Sequence, residues 1–110
     1  MEFIPIGSVY SRGIRHDDGS AFDPLPSVVL YNLSTRRYYI AEVTAREEDS
    51  GCDFTFSAEV TSAMLPGVYN LEIYEDDSRE NLLKRIVDYA RAGKIAVSPN
   101  NTNSTPETSD

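Results

Sequence analysis

The chain is poor in reactive residue types: its 110 residues include one cysteine, one histidine and no tryptophan. A single cysteine excludes a disulfide within the chain, and a nucleophilic Cys52 would need a positioned base, for which only His16 is present. No pattern brings those two residues together, so we interpret Cys52 as a semi-buried or inert thiol. One histidine is also too few for a transition-metal site.

Basic clusters and long apolar runs are also missing. The formal net charge is −8, and no basic cluster exceeds an adjacent pair such as Arg36-Arg37. Binding to nucleic acid normally needs a basic patch, so we expect no nucleic-acid partner. No run of 18 apolar residues occurs, which argues against a membrane-spanning helix and a membrane partner. The first ten residues, MEFIPIGSVY, lack the basic start of a secretory signal.

Signatures of catalysis are missing as well. The chain has no G-x-x-x-x-G-K-[ST], G-x-G-x-x-G or G-x-S-x-G motif. Two acidic clusters remain, His16–Asp18 with Asp23, and Glu75–Asp77 with Glu80. The first could hold Ca²⁺ or form an Asp-rich turn, and it lacks the ligand spacing of an EF-hand. We therefore predict no enzyme, no cofactor and no metal.

The apolar pattern predicts a mainly β protein. Turn signals recur at the short intervals typical of all-β domains. The clearest alternation, in residues 53–60, predicts a strand with Phe54, Phe56, Ala58 and Val60 on its buried face. Pro66-Gly67 fits a type II turn. After that turn, Tyr69, Leu71 and Ile73 are predicted to face inward, opposite Asn70 and Glu72.

Other strands are predicted at residues 3–6, 9–15, 28–33 and 38–46, from β-prone residues between turn signals. Pro5 favours an edge position for the first of these. The predicted core takes one face of each strand: Phe3, Ile6, Val29, Tyr31, Ile40, Val43, Phe54, Phe56, Val60, Leu65, Tyr69, Leu71, Ile73, Leu83, Ile86 and Val97.

One segment departs from the β pattern. Asp77 followed by Glu80 resembles a capping box, and Leu82, Leu83, Ile86, Val87 and Ala90 form a helical stripe. We predict a helix at about 78–92, with a β-strand as the alternative, and a closing strand at 94–98. The fold class is therefore an antiparallel Ig-like or jelly-roll-like β-sandwich with one short helix near the C-terminal end. It would occupy residues 1–97, before a flexible polar tail at 98–110.

Seven tyrosines are the strongest hint of function, because tyrosine offers a large contact area with a polar tip. Tyr38 and Tyr39 are adjacent on a predicted strand, so they must point to opposite faces. We predict Tyr38, Tyr39 and Tyr74 as interface residues, with packing at strand ends as the alternative. Tyr69, four residues after Leu65, fits either a tyrosine corner or a core position.

The stretch FTFSAEVTSAMLPGVYNLEIYE, followed by AGKIAV, resembles small β-sandwich domains of bacteriophage virion proteins. These include head-fibre and decoration proteins and the N-terminal domains of baseplate and tail-fibre adaptors. The matching positions are Phe54, Phe56, Thr61, Leu65, Gly67, Tyr69, Ile73, Tyr74, Gly93, Ile95 and Val97.

The resemblance implies a non-catalytic structural or accessory role in the head, neck or tail of a virion. The partners would be other virion proteins and copies of the same chain, bound through sheet edges and termini. A carbohydrate- or cell-surface-recognition module is the alternative, with exposed tyrosines stacking on glycans.

Overall fold

The computed structural model describes residues 1–94 of the chain. Most of the predicted closing strand at 94–98 and the whole predicted tail at 98–110 lie outside the described residues. Within residues 1–94 the elements are β1 (Glu2–Pro5), β2 (Tyr10–Ile14), β3 (Ser27–Asn32), β4 (Arg37–Ile40), β5 (Glu42–Ala45), β6 (Cys52–Phe56), α1 (Ala58–Ser62), β7 (Gly67–Tyr74) and β8 (Leu82–Gly93).

These strands form two sheets, which confirms the prediction of a mainly β protein. The larger sheet has the order β1-β8-β7-β3-β4, and the smaller has the order β2-β6-β5. Every pairing is antiparallel except that of β1 with β8. No helix within the described range is long and apolar enough to cross a membrane.

One hydrophobic core receives side chains from both sheets. The larger sheet contributes residues from β1, β3, β7 and β8, and the smaller contributes residues from β2 and β6. Its buried members are Ile4, Tyr10, Val28, Leu30, Ala41, Phe54, Phe56, Met64, Tyr69, Leu71, Ile73, Ala90 and Ala92. The predicted inward positions Tyr69, Leu71 and Ile73 are confirmed.

The predicted facing of β1 and β3 is wrong by one residue. Ile4 is buried while Phe3 is 44% exposed, and Val28 and Leu30 enter the core instead of Val29 and Tyr31. β3 lies between β7 and β4 and is apolar on both faces, so alternation cannot show which face is inward. Outside these strands, Leu65 and Leu83 are exposed and not buried as predicted.

The predicted strand at 38–46 is two strands in different sheets. β4 ends at Ile40 in the larger sheet, and β5 begins at Glu42 in the smaller one. Between them lies Ala41, which is 9% exposed and donates its backbone N–H to the carbonyl of Val28 at 2.8 Å. The β-prone composition is right for both strands but does not mark the change of sheet.

The alternating strand at 53–60 is also shorter than predicted. β6 ends at Phe56, and Ser57 caps α1 by accepting the backbone N–H of Val60 at 3.2 Å. Thr61 links α1 to the connection between β1 and β2, since its hydroxyl donates to the carbonyl of Ser8 and accepts from the N–H of Gly7. Ala58 and Val60 therefore belong to a helical turn.

The predicted helix at 78–92 is wrong, because residues 82–93 form β8. Leu71 pairs with Ile86 and Tyr69 with Ala90, so β8 carries two additional residues between these pairs. Asp88 lies in this bulge with a φ of 53°, and its N–H donates to Asn70 Oδ1 at 3.0 Å. The bulge spaces the inward residues three or four apart, which imitates a helical stripe.

Tyr69 meets both predicted alternatives, a tyrosine corner and a core position. Its ring is fully buried, and its hydroxyl donates to the carbonyl of Leu65 at 2.7 Å. Gly67, between them, has a φ of 147°, and a Cβ there would come within 3.2 Å of Asn32 Nδ2. That φ is positive as predicted but larger than the value of about 80° of a type II turn.

Replacing Tyr69 with Phe should lower the free energy of unfolding by about 1 kcal/mol, because the ring stays while the Leu65 carbonyl loses its donor. Urea unfolding monitored by circular dichroism measures this. Tyr38→Phe is the control, since Tyr38 is 54% exposed. Equal stability of the two variants would show that the corner hydrogen bond contributes nothing.

A polar cluster joins the two sheets beside the core. The Tyr10 hydroxyl donates to Glu2 Oε1 at 3.0 Å and contacts the Tyr89 hydroxyl, and Arg12 pairs with Glu2 at 2.7 Å. These residues lie on β1, β2 and β8. Hydrogen bonds from Tyr10 and then Arg12 hold the pKa of Glu2 below its usual value of 4.5. The cluster therefore stabilises the fold through a charged carboxylate.

Because the pKa of Glu2 is lower in the folded state, its charge stabilises the fold above the unfolded pKa, and this contribution is lost as pH falls through the folded pKa. Glu2→Gln keeps an acceptor but removes the charge. It should be less stable than the wild type at about pH 7, and the difference should shrink below about pH 4.5. Urea unfolding across this range, with the exposed Glu47→Gln as control, tests the expectation. A difference that does not change with pH would contradict it.

Candidate functional site

One face of the larger sheet points away from the shared core, and we call it the outer face. Its members follow from cross-strand pairing, because directly opposed residues share a face. Val29 pairs with Ile40 and Glu72, Tyr31 pairs with Tyr38, and Glu72 pairs with Arg85. The outer face includes Val29, Tyr31, Tyr38, Ile40, Glu72, Tyr74 and Arg85; by the same pairing it also includes Ser27, opposite Tyr74, and Asn70, opposite Tyr31.

A buried carboxylate lies in the middle of this face. The Glu72 side chain is 8% exposed, and its Oε2 accepts from Arg85 Nε at 2.8 Å. Its other oxygen accepts from the Tyr74 hydroxyl at 2.6 Å, and this hydrogen bond raises the pKa of Tyr74. Each carboxylate oxygen thus has a partner, and Glu72 holds Tyr74 and Arg85 in place.

The structure separates the three predicted interface residues. Tyr38 and Tyr74 lie together on the outer face, around a cavity of about 190 Å³ that Arg79 also lines. Tyr39 points to the opposite side, where its hydroxyl donates to the Ala63 carbonyl at 3.0 Å and its ring lies 6.1 Å from that of Tyr69. The prediction that Tyr38 and Tyr39 face opposite ways is confirmed.

The outer face is apolar where β4 forms the edge of the sheet. Tyr38 is 54% exposed and Ile40 is 42% exposed, while Val29 beside them is 3% exposed. A 190 Å³ cavity is smaller than the 300–1,000 Å³ typical of small-molecule sites. This geometry suits contact with a flat or convex surface better than enclosure of a small ligand.

The predicted acidic clusters form local turns. His16 stacks on Phe22 with ring centroids 3.9 Å apart, and Asp18 accepts the N–H and hydroxyl of Ser20. Asp76, rather than Asp77, accepts the N–H and hydroxyl of Ser78 in the β7–β8 turn. Within residues 1–94 no group of three His, Cys, Asp or Glu side chains could hold a metal ion.

Cys52 is fully buried on β6, and burial raises the pKa of its thiol to about 11. The thiolate is therefore scarce at neutral pH, and the nucleophilic form is the thiolate. His16 stacks on Phe22, and within residues 1–94 no hydrogen bond joins it to Cys52. Cys52 is thus more buried than a semi-buried thiol, and its burial agrees with the alternative interpretation of an inert thiol.

Sequence reasoning missed four members of the outer face. Val29, Tyr31 and Ile40 were expected in the core, and Arg85 was placed on a helix. The signal in the sequence was polar Glu72 among apolar residues at outward positions of neighbouring strands. Where the outward positions of a strand include both polar and apolar residues, side chains of adjacent strands cover the outward face. Recognising it requires the strand register.

Comparisons with known protein families, with curated proteins and with solved structures found no match to this chain.

Replacing Arg85 with Met should destabilise the protein by about 1–2 kcal/mol, because the buried Glu72 carboxylate loses a charged donor. Lys84→Met is the matched control, as Lys84 is the adjacent exposed cation on β8. Thermal and urea unfolding of both variants provide the comparison. If Arg85→Met is no less stable than Lys84→Met, the Glu72–Arg85 pair does not stabilise the outer face.

Proposed function

We propose that this chain is a non-catalytic structural or accessory protein of a bacteriophage virion. In this proposal the outer face, together with the β4 edge, docks a neighbouring protein subunit of the particle. The observation that carries the docking proposal is the apolar, tyrosine-rich surface around Tyr38 and Ile40 at an open sheet edge. The assignment to a virion comes from the sequence resemblance of residues 50–98.

Three features of the outer face support docking. Tyrosine is enriched at protein interfaces, and Tyr31, Tyr38 and Tyr74 lie on one face. Glu72 and Arg85 fix the surroundings of Tyr74, so ordering this surface for binding costs little entropy. β4 has only four residues and is the last strand of its sheet, so its outer backbone groups are open to a further strand.

The fold class that goes with this proposal is an Ig-like β-sandwich. Two sheets sharing one core and the tyrosine corner at Tyr69 favour it. Such domains are rigid units that can be repeated by symmetry and joined through their edges. The parallel β1–β8 pair places the first strand at the opposite edge of the larger sheet from β4, so each edge could meet a different neighbour.

Glycan recognition is the second candidate function, supported by the same three tyrosines. Their rings line the outer-face cavity together with the Arg79 side chain and the Glu72 carboxylate. Aromatic rings stack on sugar faces, while the charged groups can bond hydroxyls. The cavity is small for a sugar ring, which makes protein docking the better supported function.

Mass spectrometry of particles purified from the source culture tests the proposed function. We expect this chain in stoichiometric amount with a major capsid or tail protein, through repeated density-gradient steps. Recovery only in the particle-free fraction would contradict the virion role. A glycan array would then test the second candidate, with Tyr38→Ala as the variant that should lose binding.

Single substitutions should separate docking from folding. Tyr38→Glu and Ile40→Lys should each reduce co-sedimentation with particles by about tenfold or more, because a charge replaces a central apolar contact. Both side chains are exposed, so unfolding temperatures should change little. Thr44→Lys on β5, in the smaller sheet, is the control and should still co-sediment. Normal co-sedimentation of both outer-face variants would show that another surface docks.

A further inference from the structure

A second, larger cleft opens where the chain leaves the larger sheet at Ala41. It has a volume of about 670 Å³, within the range of small-molecule sites. Because β4 ends at Ile40, opposite Val29, nothing on β4 pairs with Ser27 at the start of β3. The cleft lies beside this position, and its lining residues are Pro24, Leu25, Pro26, Ser27, Ala41, Val43, Asp76, Asp77 and Ser78.

One wall of the cleft contains a buried hydroxyl without a partner. Ser27 is 2% exposed, and its Oγ has no hydrogen-bond partner among the described residues. Buried side-chain polar atoms are almost always paired, so an unpaired one calls for an explanation. A hydrogen-bond donor that enters the cleft would give this oxygen a partner.

Another wall carries two carboxylates. Asp76 uses Oδ1 to accept from the N–H and hydroxyl of Ser78, and these bonds hold its pKa below the usual value. No described cation forms an ion pair with either Asp76 or Asp77. Arg79, the nearest cation in sequence, donates instead to the backbone carbonyl of Asp77 at 3.3 Å. The remaining walls are aliphatic, formed by Leu25, Val43 and their neighbours.

We propose that this cleft binds an alkyl cation, namely the side chain of a lysine or arginine or a free amine of the same shape. The aliphatic walls would cover the methylene stem, while the charged head would lie between Ser27 and the carboxylates of Asp76 and Asp77. Lysine and arginine bury their stems in this manner with the charge at a polar rim. The net charge of −8 favours such a ligand at long range. Ser27 is opposite Tyr74, at one end of the outer face, but the cleft has its own lining residues, and this proposal does not depend on docking at the outer face.

Titration of the ¹⁵N-labelled full chain with N-acetyl-lysine methylamide and N-acetyl-arginine methylamide tests the proposal. We expect a Kd on the order of 1 mM, with amide shift changes confined to Leu25, Ser27 and residues 41–43 and 76–78. N-acetyl-norleucine methylamide, which lacks the charge, should bind at least about tenfold more weakly. Cadaverine, a free diamine, distinguishes a protein ligand from a free amine. Tighter binding of the peptide analogues would indicate a protein ligand, and tighter binding of cadaverine would indicate a free amine.

A matched pair of variants tests the carboxylates. Asp76→Asn with Asp77→Asn should weaken lysine binding by about tenfold, because the amide that replaces the Asp76 carboxylate keeps an acceptor oxygen while both charges are lost. Asp17→Asn with Asp18→Asn removes the same charge from a similar turn, in which Asp18 accepts from Ser20 as Asp76 does from Ser78. This control should bind lysine with nearly the wild-type Kd. Equal weakening in both double variants would show only a general charge effect and overturn the site.

Ser27→Ala provides the test of the unpartnered hydroxyl. It should weaken binding of the lysine analogue while leaving the unfolding temperature unchanged or higher, because the lost oxygen has no partner among the described residues of the free protein. A lower unfolding temperature with unchanged affinity would show that the hydroxyl serves the fold and not a ligand. Shift changes of equal size with norleucine, or none in the cleft at about 20 mM probe, would overturn the proposal as a whole.

Discussion

The passage of the chain from one sheet to the other at Ala41 is the constraint on which the rest of the structure depends. A single buried residue separates β4 from β5, and its N–H is held by the carbonyl of Val28. β4 is consequently short and lies at the edge, with Tyr38 and Ile40 exposed beside β3. The same departure leaves Ser27 without a neighbour on β4 and opens the cleft. Both candidate binding surfaces are thus consequences of one short connection.

The bulge in β8 has a similar effect on the other side of β7. Two additional residues between Ile86 and Ala90 let Ile86, Tyr89 and Ala90 pack against the core while Arg85 reaches Glu72 on the outer face. A regular strand would also put Ile86 and Arg85 on alternate faces. Without the bulge, however, the residues after Asp88 would pair with different residues of β7. Ala90 and Ala92 pair with Glu2 and Ile4 of β1, and both alanines lie with Ile4 in the core.

Much of this architecture could be predicted from the sequence, and the failures have physical causes. Turn residues and alternation were enough for the strands around Phe54, Tyr69 and Tyr10. The spacing from Leu65 to Tyr69 suggested a tyrosine corner but did not distinguish it from a core position. β3 was identified as a strand but with the wrong inward face, since Val28 and Val29 are equally apolar. β8 was taken for a helix because its bulge produces helical spacing. The outer face became recognisable only when cross-strand pairs joined residues as distant as Tyr31, Glu72 and Arg85.

Hydrogen–deuterium exchange of the isolated chain and of the chain within purified particles tests the central claim most directly. If the outer face and the β4 edge dock a neighbouring subunit, amides in residues 37–40 should exchange more slowly in the particle, since a partner covers open backbone groups there. Amides of β5 and β6, in the other sheet, should exchange alike in both states. Unchanged exchange at 37–40, with protection elsewhere or nowhere, would contradict the account.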